Sequence, residues 1–164
     1  NKMTQNREVN AGDVTVNNFD SMSDFEQMFV MLIRHAEKII GNHEPRKIES
    51  LPKELEIFVS KENNYTKICD LINILALHYR RPIVRHQPTC NCVGADENIF
   101  ANLMSFSIKG QIQDAILMGS FLVKPCMVSE LVRRAIVVAD LCVEQTKNSD
   151  QLQKALVIEN LNIH

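Results

Sequence analysis

The stretch Ser23-Asp24-Phe25-Glu26-Gln27-Met28-Phe29-Val30-Met31-Leu32-Ile33-Arg34-His35-Ala36-Glu37-Lys38-Ile39-Ile40-Gly41 decides the fold class. Its first four residues form a capping box: the Ser23 hydroxyl can accept from the third backbone N–H, and Glu26 can reach back. Phe25, Met28, Phe29, Leu32, Ala36, Ile39 and Ile40 then recur at the three-to-four spacing of one helical face. Gly41-Asn42 is a left-handed stop signal. One helix over residues 23–41 follows.

The same period continues on the carboxy-terminal side. Ser50-Leu51-Pro52 opens a shorter helix carrying Leu55, Phe58 and Val59, since proline is tolerated where the N–H groups have no intrahelical partner. Within it, Ile57-Phe58-Val59 is the place where a short strand competes. Asn63-Asn64 is read as the break before a helix holding Ile68, Cys69, Leu71, Ile72, Leu75 and Ala76. That helix must end near Arg80, because Pro82 disfavours helical geometry at Arg81. Asp96 is placed as the cap of a helix with Phe100, Leu103, Met104 and Ile108, ended by Gly110. Residues 111–123 form its antiparallel partner across a very short turn. Gly119 inside that partner costs ~1 kcal/mol against alanine, so a close helix approach is expected there. Val128 to Cys142 carry the next apolar face, to about Thr146, and a weaker helix spans Ser149 to Leu161. The sum is an all-α bundle of six or seven helices.

Residues 1–20 are polar, carry five asparagines, and are read as a mobile amino-terminal arm; residues 21–164 form a single helical domain. Hydrophobic residues at 45% and charged residues at 23% fit a globular chain, while five glycines and five prolines are few for a β-sandwich. A formal net charge of −2 carries no nucleic-acid footprint. The longest apolar run falls well short of the ~20 residues of a membrane span. The first residues lack the apolar region of a secretory signal, and five cysteines are an odd number. The expectation is reduced thiols and a cytoplasmic protein.

One segment departs from helical patterning: Arg80-Arg81-Pro82-Ile83-Val84-Arg85-His86-Gln87-Pro88-Thr89-Cys90-Asn91-Cys92-Val93-Gly94-Ala95-Asp96-Glu97. It is expected to be a structured loop rich in Pro, Cys and Arg near residues 81–95. Arg80, Arg81, Arg85 and His86 make a basic patch whose forks match phosphate or carboxylate, which suits an acidic or phosphorylated protein partner. No aromatic residues interleave with the arginines to stack bases, so nucleic acid is disfavoured. His86, Cys90 and Cys92 are ligand-type side chains for zinc, Cu(I) or an iron–sulfur cluster, with His78 or Cys69 completing the set. One residue between the cysteines is fewer than zinc knuckles favour. Cys90 and Cys92 also read as a redox pair beside cationic side chains that stabilise a thiolate, and their disulfide would be a tight ring. The bland alternative is a loop docked on the bundle, its cysteines half buried and its arginines paired with carboxylates.

Elsewhere, His35 reads as a surface or boundary histidine, and Asp140 as a partly buried acid in need of a partner such as a loop arginine. The sequence contains no P-loop, no Rossmann glycine pattern, no Gly-x-Ser-x-Gly and no His-Glu-x-x-His. The leading expectation is an interaction or regulatory module working through the basic Cys-x-Cys loop, not an enzyme. The rival is a metal- or cluster-binding protein, and a thiol-redox protein comes third. A homo-oligomer through exposed apolar helix faces is compatible with all three.

Overall fold

The computed structural model describes residues 11–42, 48 and 50–161. Among these, seven α-helices and one small sheet make an all-α bundle. The helices are α1 (Asp24–Arg34), α2 (Ala36–Ile40), α3 (Lys53–Ser60), α4 (Glu62–Leu77), α5 (Ala95–Ile108), α6 (Ile112–Leu122) and α7 (Val128–Leu161). No helix of the described residues is long and apolar enough to cross a membrane.

The capping box forms as its residues dictate. Ser23 Oγ accepts from Glu26 N at 3.2 Å, and Ser23 N donates to Glu26 Oε2 at 3.0 Å. The helix behind it is not continuous, however. His35 leaves helical geometry (φ −101°, ψ 10°), which divides the expected single helix into α1 and α2. The interruption is one residue wide, since His35 N still donates to Met31 O and Ile39 N to His35 O, both at 3.1 Å.

The break between α3 and α4 falls at Lys61, with extended backbone, not at Asn63-Asn64. Asn64 has a different task. It is buried, and its side-chain amide donates to Phe58 O at 2.9 Å, one of the carbonyls that the end of α3 leaves without a helical partner. Ile57-Phe58-Val59 lies inside α3, so the competing strand is not formed.

Helix α5 is the central element. Phe100, Ala101, Leu103 and Met104 are fully buried, and α1, α6 and α7 pack around it. Phe29 of α1 meets Phe100 edge to face, with ring centroids 6.3 Å apart. The turn to α6 closes at Gly110, whose φ of +67° favours glycine, with Gln111 N returning to Phe106 O at 3.0 Å. Gly119 lies against α7: a methyl there would sit 3.4 Å from Val128 and 3.5 Å from Leu131. The expected weak helix at 149–161 is the continuation of α7, which runs 34 residues without interruption. Leu152, Leu156, Val157 and Ile158 on its distal part are exposed.

The amino-terminal segment read as an arm contributes to the fold over its described part. Thr15–Asn18 forms β1, paired antiparallel with β2 (Cys92–Gly94) in the register Thr15 with Gly94, Asn17 with Val93 and Asn18 with Cys92. Beneath this ribbon a second small cluster gathers Met22, Val30, Val93 and Ala101, with Phe19 against it. Residues 1–10 lie outside the described residues, as does most of the segment 43–49, which contains Pro45 and reads as a connection.

Two side chains sit differently from expectation. Asp140 is exposed on α7, so it has no burial to offset and no need of a loop arginine. His35 is buried, 5% exposed, with its Nε2 unpartnered among the described residues. Burial pushes its pKa below the ordinary histidine value, helped by the nearby charges of Lys38 and Arg34. A lowered histidine pKa gives stability that is present above about 6.5 and lost as pH falls from there toward the folded value. We therefore expect denaturation midpoints to drop between pH 7 and pH 5, and His35→Gln to flatten that slope. An unchanged slope in the variant would assign the dependence to another group.

Candidate functional site

The loop between α4 and β2 is docked on the bundle at both ends. At its start, Arg80 N donates to Leu122 O at 3.0 Å and Lys124 N to His78 O at 2.9 Å, tying it to the end of α6. At its end, β2 runs directly into α5, whose amino-terminal cap is Gly94. Asp96, expected as the cap, lies instead in the first turn of α5 and is buried.

The residue that organises the loop is Arg34, at the end of α1. Its side chain and that of Glu97 are both 0% exposed. Arg34 Nε and Nη2 donate to the two Glu97 oxygens at 2.8 and 3.1 Å. The same guanidinium donates to Cys90 O and Cys92 O, each at 2.8 Å, and reaches Pro88 O at 3.5 Å. Glu97 in turn accepts from His86 N at 2.9 Å and Gly94 N at 3.1 Å. Burial pushes the Glu97 carboxyl up, but the bonds from Arg34, Gly94 and His86 outweigh it and hold the pKa below the usual carboxylate value. Arg34 lies on a helix flank in a run of apolar residues, and its only sequence signal was a charge where the apolar face continues.

The three expected arginines are each engaged within the chain. Arg81 makes a two-pronged pair with Asp96, at 2.9 and 2.7 Å, and Val84 N donates to the same carboxylate at 2.8 Å. Arg85 bonds Glu37 at 2.5 Å. Arg80 donates to Ser120 O at 2.8 Å. The basic patch is thus largely met by internal acceptors, which is the docked-loop arrangement.

This scaffold brings together His86, Cys90 and Cys92, whose ligand atoms lie within 4.8 Å of one another. His86 Nδ1 is 3.1 Å from Cys92 Sγ and 3.1 Å from Cys92 O. On its far side, Nε2 faces Asp13, 3.1 Å from Oδ1 and 3.2 Å from the backbone carbonyl. Cys90 and Cys92 are joined as a disulfide with their Cα atoms 5.4 Å apart, the tight ring that the redox reading of this pair entails. Cys69, Cys126 and Cys142 are free; burial pushes the Cys142 thiol up to about 11. His78, at the end of α4, and Cys69, half buried on α4, are not members of the cluster. A groove of about 590 Å³ bordered by Phe19, Met28, Met31 and Leu55 opens beside Cys90 and gives it access to solvent.

Comparison with protein-family models, with curated proteins and with solved structures finds no match for this chain. The chain is a helical bundle bearing a loop-borne His/Cys/Cys group that could hold a metal ion once the Cys90–Cys92 disulfide is reduced.

Proposed function

We propose that the protein is a metal-binding module in which His86, Cys90 and Cys92, with the cysteine pair reduced, hold zinc or a comparably thiophilic ion. The observation that carries this reading is the approach of His86 Nδ1 to 3.1 Å from Cys92 Sγ on a clamped loop, with the Cys90 sulfur, here its disulfide partner, in the same 4.8 Å group. Mixed nitrogen and sulfur donors suit zinc and copper better than hard cations. Two thiolates are fewer than the four that iron–sulfur clusters commonly take, which favours a single ion. Arg34 holds the carbonyls of both cysteines, so the ligand-bearing backbone is fixed before any ion arrives.

The interaction-module reading rests on arginines that Asp96, Glu37 and Ser120 already engage, and it is correspondingly weaker. A specific observation does favour a second reading, thiol–disulfide exchange: the Cys90–Cys92 disulfide itself. The two readings separate in one experiment. Protein reduced under chelator-free conditions is titrated with Zn²⁺ and with Co²⁺, alongside the Cys90→Ser/Cys92→Ser variant. Stoichiometric uptake with a sulfur-to-cobalt charge-transfer band, absent from the variant and from the oxidised protein, is expected. Equal weak uptake by all three would overturn the metal reading and leave the disulfide as the chemistry of the loop.

A further inference from the structure

We propose that the amino-terminal segment is part of this site, with Asp13 a positioning residue that fixes the tautomer and orientation of His86. The inference rests on the metal reading for its purpose, though not for its geometry. A neutral imidazole carries one N–H, and the neighbours of the two nitrogens decide which atom bears it. Nε2 faces two acceptors from one residue, Asp13 Oδ1 at 3.1 Å and Asp13 O at 3.2 Å. Nδ1 faces Cys92 O and Cys92 Sγ, each at 3.1 Å, and that carbonyl also accepts from Arg34 at 2.8 Å. Only Nε2 faces a carboxylate oxygen, a stronger acceptor than a carbonyl oxygen or a sulfur, so the proton belongs on Nε2 and the Nδ1 lone pair is left toward Cys92. A carboxylate behind a ligating histidine is how metal sites commonly orient the ring and raise its basicity.

The segment is built to hold Asp13 there. The register that sets Thr15 opposite Gly94 carries Asp13 past the end of β2 and over the ring. A side chain at Gly94 would meet His86 Nε2 and Gly12 O, each at 2.9 Å, so only glycine lets the ring and the amino-terminal segment come this close to β2. Gly12 itself is buried against the Arg81–Asp96 pair. Imidazole, backbone and carboxylate thus form one interlocked unit contributed by the two ends of a long excursion of the chain.

The test uses full-length reduced protein labelled with ¹⁵N in its imidazole rings. Long-range ¹H–¹⁵N correlation reports the tautomer of His86, assigned through the signal lost in His86→Gln. Zn²⁺ affinity is measured in parallel against a chromophoric chelator. Wild type is expected in the Nε2–H form. Asp13→Ala, which keeps only the backbone acceptor, should shift population toward Nδ1–H and lose about 10- to 100-fold in Zn²⁺ affinity. Asp13→Asn, which keeps a side-chain acceptor, should restore most of both. A wild-type Nδ1–H form, or an Asp13→Ala protein unchanged in tautomer and affinity, would overturn the proposal. Should wild type take up no zinc, the metal reading falls, and the tautomer measurement still decides the role of Asp13 by itself.

Discussion

Replacing Arg34 by methionine is expected to cost about 3–5 kcal/mol of folding stability, the usual consequence of leaving one member of a buried ion pair alone. The loss has two sources. Glu97 loses its counter-ion in a place where neither side chain of the pair touches solvent, and must stay charged there or take up a proton, at a cost either way. The half-buried carbonyls of Cys90 and Cys92 also lose their guanidinium donor, which adds to the cost. Urea titration of the single variants Arg34→Met and Glu97→Gln, and of the double variant, measures the pair. The double variant should lose less than the two singles together, because removing both charges removes the uncompensated one. Strict additivity would mean that the pair does not act as a unit. Acid should weaken the same contact without mutation. Glu97 has its pKa held below the usual value in the folded protein, so its contribution is present above about 4.3 and is lost as pH falls through the folded pKa.

The second large effect is expected at Gly12. A methyl group there would fall on Asp96, 2.6 Å from its carboxyl carbon, and 2.7 Å from Arg81 Nη1. The Asp96 carboxylate is buried and held by both Arg81 and Val84 N, so it cannot yield cheaply. Gly12→Ala should therefore destabilise by about 1–3 kcal/mol, in the range of overpacked sites, and loosen the β1–β2 ribbon. Gly119→Ala makes the opposite case. There the methyl would rest at ordinary contact distance from Val128 and Leu131, and the helix gains propensity. That substitution should stabilise by up to ~1 kcal/mol. Thermal melts of the two variants side by side check both signs; a destabilised Gly119→Ala would show that the α6–α7 contact does not accept the methyl.

The helices were legible because burial imposes a period on the sequence, and α1, α4, α5, α6 and α7 each carry it. Details that depend on tertiary partners were not. The interruption at His35 leaves no mark in the spacing of Phe29, Leu32, Ala36 and Ile39. Asn64 looked like a helix breaker because asparagine favours turns, yet its amide satisfies Phe58 O from within the first turn of α4. The unusual loop was identifiable by composition, and His86, Cys90 and Cys92 do converge. Its arginines were harder to read, since a cation beside a gap in helical pattern looks the same whether its carboxylate partner is 15 residues away or belongs to another molecule. Arg81 and Asp96 illustrate the first case. Arg34 and Asp13 were missed altogether. One lies in an apolar helix and the other in a polar segment, and only the fold reveals that they flank the same loop.

The contacts that seat the loop on the rest of the molecule span a long distance along the chain: Arg34 to Glu97, Asp13 to His86, Thr15 to Gly94. The α5–α6 hairpin, by contrast, closes across a turn of a few residues. Loop-closure entropy is lower for local pairs, so such hairpins can form early while distant segments are still searching for each other. We accordingly expect the His/Cys/Cys group to be assembled late in folding, when the amino-terminal strand and the start of α5 have both been brought to α1. An ion bound there would then act as a latch on a finished molecule, slowing its unfolding and having little influence on how quickly the bundle first collapses.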